Sequence, residues 1–406
     1  MRASISRVTT YIGAAVIAAA CAQSPGLQTA PVAAATTSAI SPGDLRTRLY
    51  AYADDSMMGR ETGTPGNRMA TDYLAREAAR IGLQPAGENG TWFQDMRSTS
   101  ARFAGPVAPG TARNVIAILR GSDPALRDEY VAIGAHNDHV GTRPTAVDHD
   151  SLKAFNSELT RLGAPVWDRN TRARRDSLRS MIRVNMDSLR RLRPARRDSI
   201  SNGADDDGSG TVAVLEIAEA LANMPVKPKR SILFVWHTGE EKGLLGSKWF
   251  AENPTVPRDK IVAQLNLDMV GRGSTEDIAG GGPDYLQLVG SRRLSTELGN
   301  LVEQINSASA MPFKLDYQYD ANGHPERIYC RSDHYSYARY GIPITFFTTG
   351  LHPDYHQVTD EPQYIDYEHM ARVAGFVKDV SISVANLEHR PKVDKPVGDP
   401  TAPCVQ

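Results

Sequence analysis

Five short runs rich in apolar and β-branched residues recur along the chain: ARNVIAILRG from residue 112, EYVAIGAHNDHVG from 129, SILFVW at 231–236, IVAQLNLDM at 261–269 and IPITFFTTG at 342–350. Runs of this length and composition are strands. Helical patterns such as TVAVLEIAEALANM and STELGNLVEQINSA stand between them, and NRMATDYLAREAARIGL places Met69, Tyr73, Leu74, Ala78 and Ile81 on one face. Strands alternating with helices predict an α/β fold, a three-layer sandwich with a mixed, mostly parallel central sheet and helices on both faces. The 406 residues, 41% of them hydrophobic, suffice for a substantial core. Lys+Arg 46 against Asp+Glu 47 leaves a formal net charge of -1, so no global electrostatic case exists for nucleic acid or an anionic membrane surface.

Arg2 and Arg7 precede the apolar stretch YIGAAVIAAAC, which is short for a bilayer span and ends in small residues. Residues 1–21 therefore read as a signal peptide, implying an exported protein in the periplasm or cell envelope, or secreted. AAAC also resembles a lipoprotein cleavage box, in which a lipidated Cys21 would tether the chain to a membrane; plain secretion is the alternative. The Ala/Ser/Thr/Pro-rich residues 22–43 suit a flexible linker. A catalytic domain is expected over 44–388 and a C-terminal tail over 389–406. Cys330 and Cys404 form either a disulfide or two separate thiols.

The polar residues fall at one place in the strand pattern. His136 and Asp138 follow one strand, Glu240 and Glu241 the next, Asp268 ends a third, and Tyr355 and His356 lie in the loop after a fourth. Ligands of open α/β sheets bind at the carboxyl ends of the strands, so these segments converge on one crevice. NGADDDGSG adds Asp205, Asp206 and Asp207 just before a helix, where carboxylates serve equally as caps for free backbone amides. Paired glutamates at a strand end fit either a solvated turn or a metal site in which one binds the ion and its neighbour moves protons.

The ordered set AHNDH, NGADDDGSG, HTGEEKGLLGS, NLDMVG and DYH resembles the co-catalytic di-zinc exopeptidases, the family of bacterial leucyl-type aminopeptidases that includes glutamate carboxypeptidase and transferrin-receptor ectodomains. The likeness runs from about Leu45 to Val380, including MMGRETGTPG and SDHYSYARYGIPITFFTTG. It implies two zinc ions, one held by His136 and Asp268, the second by Glu241 and His356, with Asp206 bridging them. It also implies a cis peptide after the bridging aspartate. Glu240 would be the general base on water held at the metals, Tyr355 a donor to the oxyanion, and Asp138 the carboxylate that fixes the His136 tautomer. Imidazole and carboxylate donors suit zinc independently of the resemblance. His139, His237, His334 and His352 are assigned to packing, pocket lining or hydrogen bonding behind the ligands. Ser332, Asp333 and His334 are consecutive, which rules out a serine triad.

The resemblance makes the chain a zinc aminopeptidase that acts on peptide substrates. A carboxypeptidase or dipeptidase on the same metal site, or a catalytically silent binding ectodomain, are the alternatives. Residues 143–201 depart from the family pattern. Their Leu178, Met181, Ile182, Leu189 and Leu192 recur at helical spacing amid arginines, while Asp168, Asp176, Asp187 and Asp198 favour a solvated, ion-paired helix over a nucleic-acid or membrane surface. Both ends of this insert emerge near the crevice, so it is expected to pack its apolar stripe on the domain and wall the substrate entrance.

Overall fold

The structure is a computed structural model that describes residues 36–96, 110–163, 172–278 and 280–406. The expected signal peptide, Cys21 and most of the linker lie outside the described residues. Among the described residues, no helix is long and apolar enough to cross a membrane.

Eleven strands and ten α-helices are described: β1 Gln84–Pro85, β2 Phe93–Asp95, β3 Arg113–Leu119, β4 Tyr130–His136, β5 Gly141–Asp148, β6 Arg197–Ser201, β7 Ser231–His237, β8 Ile261–Leu267, β9 Tyr285–Val289, β10 Lys314–Asp316 and β11 Ile344–Thr348, with α1 Pro42–Tyr52, α2 Pro65–Ile81, α3 His149–Arg161, α4 Arg172–Met181, α5 Asp187–Leu192, α6 Gly210–Ala222, α7 Leu245–Glu252, α8 Thr296–Ala308, α9 His334–Ala338 and α10 Tyr367–Asn386. The main sheet runs β1-β3-β7-β4-β8-β11-β9-β10, with β2 also on β3. Its centre is parallel, β4 lying between β7 and β8 and β8 beside β11. Its flanks are antiparallel at β3 against β7 and β9 against β11. The five expected strands are β3, β4, β7, β8 and β11. The four parallel ones end where the candidate polar residues begin.

Strand side chains alternate between two cores. Val131, Ile133 and Ala135 join the face covered by α1, α2, α6, α8 and α10, whereas Tyr130 and Ala132 join the opposite face with Phe250 of α7 and Tyr337 of α9. The α2 boundaries follow local chemistry: the Thr64 side chain caps the first turn, Pro65 opens the helix, and Gly82 ends it at φ 88°. Thr36 donates to Glu219 at 2.6 Å and α1 begins at Pro42, so part of the segment expected as linker is packed on the domain.

The insert differs from the single helix expected of it. β5 and β6 form an antiparallel ribbon of their own, and α3, α4 and α5 lie between them. The expected stripe is broken after Met181, because the Asn185 side chain accepts the Asp187 backbone N–H and starts a new turn. Met181 is 61% and Leu192 84% exposed, so neither is buried in a core among the described residues.

Candidate metal centre

β4 has neighbours on both sides that are reached by crossovers in opposite directions, which opens a crevice at its carboxyl end. Each segment leaving the parallel strands supplies side chains there. His136 closes β4, Glu240 and Glu241 follow β7, Asp268 follows β8, and His356 sits beyond β11. Asp206 enters from the turn before α6, where the Asp206–Asp207 peptide is cis, as the family resemblance implies.

Two groups of ligand atoms form around Asp206: His136, Asp206 and Asp268 on one side, and His139, Asp206, Glu241 and His356 on the other. The Asp206 carboxylate divides between them. Its Oδ1 lies 3.1 Å from His136 Nε2, and its Oδ2 lies 3.0 Å from His356 Nε2. Asp268 Oδ1 is 3.7 Å from His136 Nε2, and Glu241 Oε2 is 2.9 Å from His356 Nε2. Nε2 of His136, Nε2 of His356 and Oδ2 of Asp206 are buried without a hydrogen-bond partner. Buried donors that converge yet leave one another unsatisfied are what a cation would complete, and imidazole with carboxylate is a zinc donor set. The residues therefore fit zinc.

The electrostatics agree. Burial opposes ionisation of Asp206, but the His136 and His356 imidazoles hold its carboxyl well below the usual range. Burial lowers the proton affinity of His356, yet Glu241 and Asp206 lift it to about 10. The field that draws a proton onto this ring draws a metal ion equally. Burial and the Glu241 charge push Glu240 well above the usual carboxylate value.

The flanking aspartates hold the backbone. Asp207 accepts the His136 and Gly210 N–H groups at 2.9 Å each, and Asp205 accepts Gly271 N–H at 2.7 Å while facing His352 at 3.1 Å. This assigns the shared position to the middle aspartate. Asp138 requires a correction. His136 Nδ1 lies 3.1 Å from the Asp138 backbone carbonyl and 3.8 Å from its carboxylate, so the carbonyl takes the expected role. The carboxylate instead accepts Glu240 N–H at 3.1 Å and the Thr62 hydroxyl at 2.7 Å, and burial raises it to about 6.

Glu240, Asp206, Asp268 and Tyr355 line one cavity together with Met269, Tyr319, Ile328, Phe346 and Leu351. The Tyr355 ring stacks on His356 with centroids 3.8 Å apart. Burial lifts its hydroxyl well above the usual phenol value, so it keeps its proton. Among the described residues, none from 143–201 lines this cavity. The insert instead packs behind the His356 loop: Asn156 of α3 donates to Asp354 at 2.9 Å, and Lys153 pairs with the same carboxylate.

His237, His334 and His352 behave as expected. His237 pairs with Tyr337 at 2.9 Å, His334 stacks on Phe346 with centroids 4.7 Å apart, and His352 bonds Asp205. The Ser332 hydroxyl donates to Asp268 at 2.7 Å. His139 bonds Glu241, its Nδ1 standing 2.9 Å from Oε1, and that nitrogen also falls inside the second group. A further group, His149, Asp198 and Glu361, surrounds the Arg196 guanidinium at 3.0, 3.4 and 2.8 Å, and that cation already occupies its centre.

Residues 181–381 match the model of Peptidase family M28. Leupeptin-inactivating enzyme 1 of Streptomyces exfoliatus is 29% identical over 169 residues, covering 41% of this chain and 33% of that protein. Leucine aminopeptidase 1 of Aspergillus fumigatus is 29% identical over 179 residues, covering 41% of this chain and 43% of that protein. The chain thus spans less than half the length of either relative. The Legionella pneumophila LapA aminopeptidase superposes with a TM-score of 0.55 at 18% identity, covering 86% of this chain and 73% of that one. Bacteroides thetaiotaomicron glutaminyl cyclase, bound to N-acetylhistamine, also superposes at 0.55, with 17% identity and coverage of 85% and 98%. The fold, the matched segment and the order of the site residues agree: over residues 181–381 the chain is similar to peptidase family M28, on the fold of the zinc exopeptidases.

Proposed function

We propose that this chain is an exported zinc aminopeptidase that removes N-terminal residues from peptides, using two zinc ions held by His136, Asp206, Glu241, Asp268 and His356. The observation that carries this is the shared Asp206, whose two oxygens face two separate donor groups on the floor of a partly apolar cavity. Zinc bound there supplies Lewis acidity to the scissile carbonyl and lowers the pKa of water. Glu240 faces the same cavity off both donor groups, and its raised proton affinity suits a carboxylate that takes a proton from the attacking water and returns it to the leaving amine. Tyr355 holds its O–H at the cavity wall, where it donates to the oxygen that gains charge. Met269, Ile328, Phe346 and Leu351 offer an apolar side-chain pocket beside it. The Cys330–Cys404 disulfide supports an oxidising, extracytoplasmic setting.

Fold likeness alone does not separate an aminopeptidase from a glutaminyl cyclase. The experiment compares aminoacyl-nitroanilides, N-blocked peptides and N-terminal glutaminyl peptides, each with and without a chelator. The expected outcome is cleavage of free-amine substrates only, abolished by the chelator together with a fall in Tm, because bound metal stabilises only the folded state. Peptidase activity that survives in verified metal-free protein, or cyclisation without cleavage, would overturn the proposal.

A further inference from the structure

His139 stands in the second donor group beside residues assigned to zinc, although the family resemblance gives it no such part. Its side chain is fully buried. Nδ1 faces the group, 2.9 Å from Glu241 Oε1 and 3.6 Å from Asp206 Oδ2. Two further edges of the group are 3.0 Å from His356 Nε2 to Asp206 Oδ2 and 2.9 Å from His356 Nε2 to the other Glu241 oxygen, Oε2. Four donors on zinc at about 2.0–2.1 Å stand about 3.3–3.4 Å apart, and the observed separations bracket that figure. The ring is also fixed from behind. The His139 backbone N–H donates to the Arg60 carbonyl at 3.3 Å, and any side chain at Gly203 would collide with the imidazole.

The first group differs in number, since only His136, Asp206 and Asp268 meet there among the described residues. We infer that His139 is a fourth protein ligand of the second metal ion, through Nδ1, so that the two ions are held unequally. The four-donor site of His139, Asp206, Glu241 and His356 retains its ion. The three-donor site of His136, Asp206 and Asp268, next to Glu240 in the cavity, keeps a position for water or substrate and exchanges its ion more readily. Four protein ligands are the mark of a closed zinc site and three that of a catalytic one. This inference rests on the di-zinc proposal above.

Zinc and cobalt(II) are the probes. Equilibrium dialysis of wild-type protein should resolve two equivalents of zinc with different affinities. His139→Ala and the more conservative His139→Asn should each weaken the tighter equivalent at least tenfold and leave the other within about twofold. Circular dichroism on the same samples reports whether each variant is folded. The cobalt(II)-substituted wild type needs no variant: its hyperfine-shifted, exchangeable imidazole N–H resonances should number three, for His136, His139 and His356. Two such resonances, or unchanged zinc affinities in folded His139 variants, would show that His139 only donates a hydrogen bond to Glu241 and would overturn the inference. Wild-type protein that binds no zinc would sink the di-zinc proposal as well, an outcome distinct from either.

Discussion

Glu240 and Glu241 are adjacent and chemically alike, yet their surroundings drive them apart. Burial and Glu241 lift Glu240 well above the usual carboxylate value, while His356 and His139 overcome burial and Asp206 to hold Glu241 below it. Two carboxyls separated in this way can divide proton transfer from metal binding. Glu240→Gln should therefore retain zinc and lose turnover by ~100-fold or more, the usual scale for removing a general base. Glu241→Gln should lose zinc first. Metal analysis of the two variants checks this, and the reverse pattern would exchange their roles. The candidate ligand positions were legible in the sequence because His136 and Asp268 sit at strand ends, and Glu241 and His356 in loops that follow strands, which the strand pattern locates. The contacts of Asp138 and His139 were not. Both lie beyond the last β4 residue, where the period-two alternation stops and the direction of each side chain depends on contacts with Arg60, Thr62 and Gly203 from remote segments.

At the scale of elements, the parallel centre was readable because fully buried strands are continuous apolar runs, as in SILFVW. β9 is a run of only five residues, YLQLV, whose central Gln287 is satisfied inside the sheet by the Tyr285 hydroxyl at 2.7 Å. The insert was misplaced because its apolar residues suggested a packing stripe, whereas its attachment is polar. α3 holds the loop that carries Tyr355 and His356 through Asp354, which also receives Arg272 at 3.0 Å and lies only 2% exposed. Burial opposes ionisation of Asp354, but Lys153 and Arg272 hold it far below the usual carboxylate range. A carboxyl depressed in the folded state contributes stability that is fully present above its unfolded pKa of about 3.9 and is lost as the pH falls toward the folded value. Asp354→Asn should cost about 3 kcal/mol at neutral pH, since it strands buried cations, and should flatten the stability profile below about pH 4. Denaturant melts of both proteins from pH 7 to 2 measure this. Parallel profiles would show that Asp354 carries no part of the acid sensitivity.

Over the whole molecule, the chain returns from the far side of the sheet to the cavity wall. After α10, residues 389–406 run back along the domain: Asp394 accepts Thr296 N–H at 3.0 Å, and Val397 packs against Gly341. Cys404 then bonds Cys330 across a sequence separation of 74. Gln406 completes the closure, donating to the Tyr319 and Ala321 carbonyls at 2.9 and 3.1 Å and accepting Tyr329 N–H at 3.0 Å. Tyr319, Ile328 and Arg331 line the cavity, so the tail braces both of these wall segments, the first of which also leans on β9 through the Tyr319 N–H bond to Gln287. A cross-link over a loop of this length stabilises by up to about 4 kcal/mol in the chain-entropy account. Cys404→Ser should lower stability within that limit while leaving zinc content unchanged, because no metal donor belongs to the clamped segments. The kinetic consequence belongs to the side-chain pocket. KM for substrates with bulky apolar N-terminal residues should rise more than kcat falls, and the preference for them over alanine should shrink. Kinetics on leucyl and alanyl nitroanilides at a temperature where the variant is folded test this. A fall in kcat with KM and the leucine-to-alanine preference unchanged would mean that the clamp acts on the metal centre instead of on the wall.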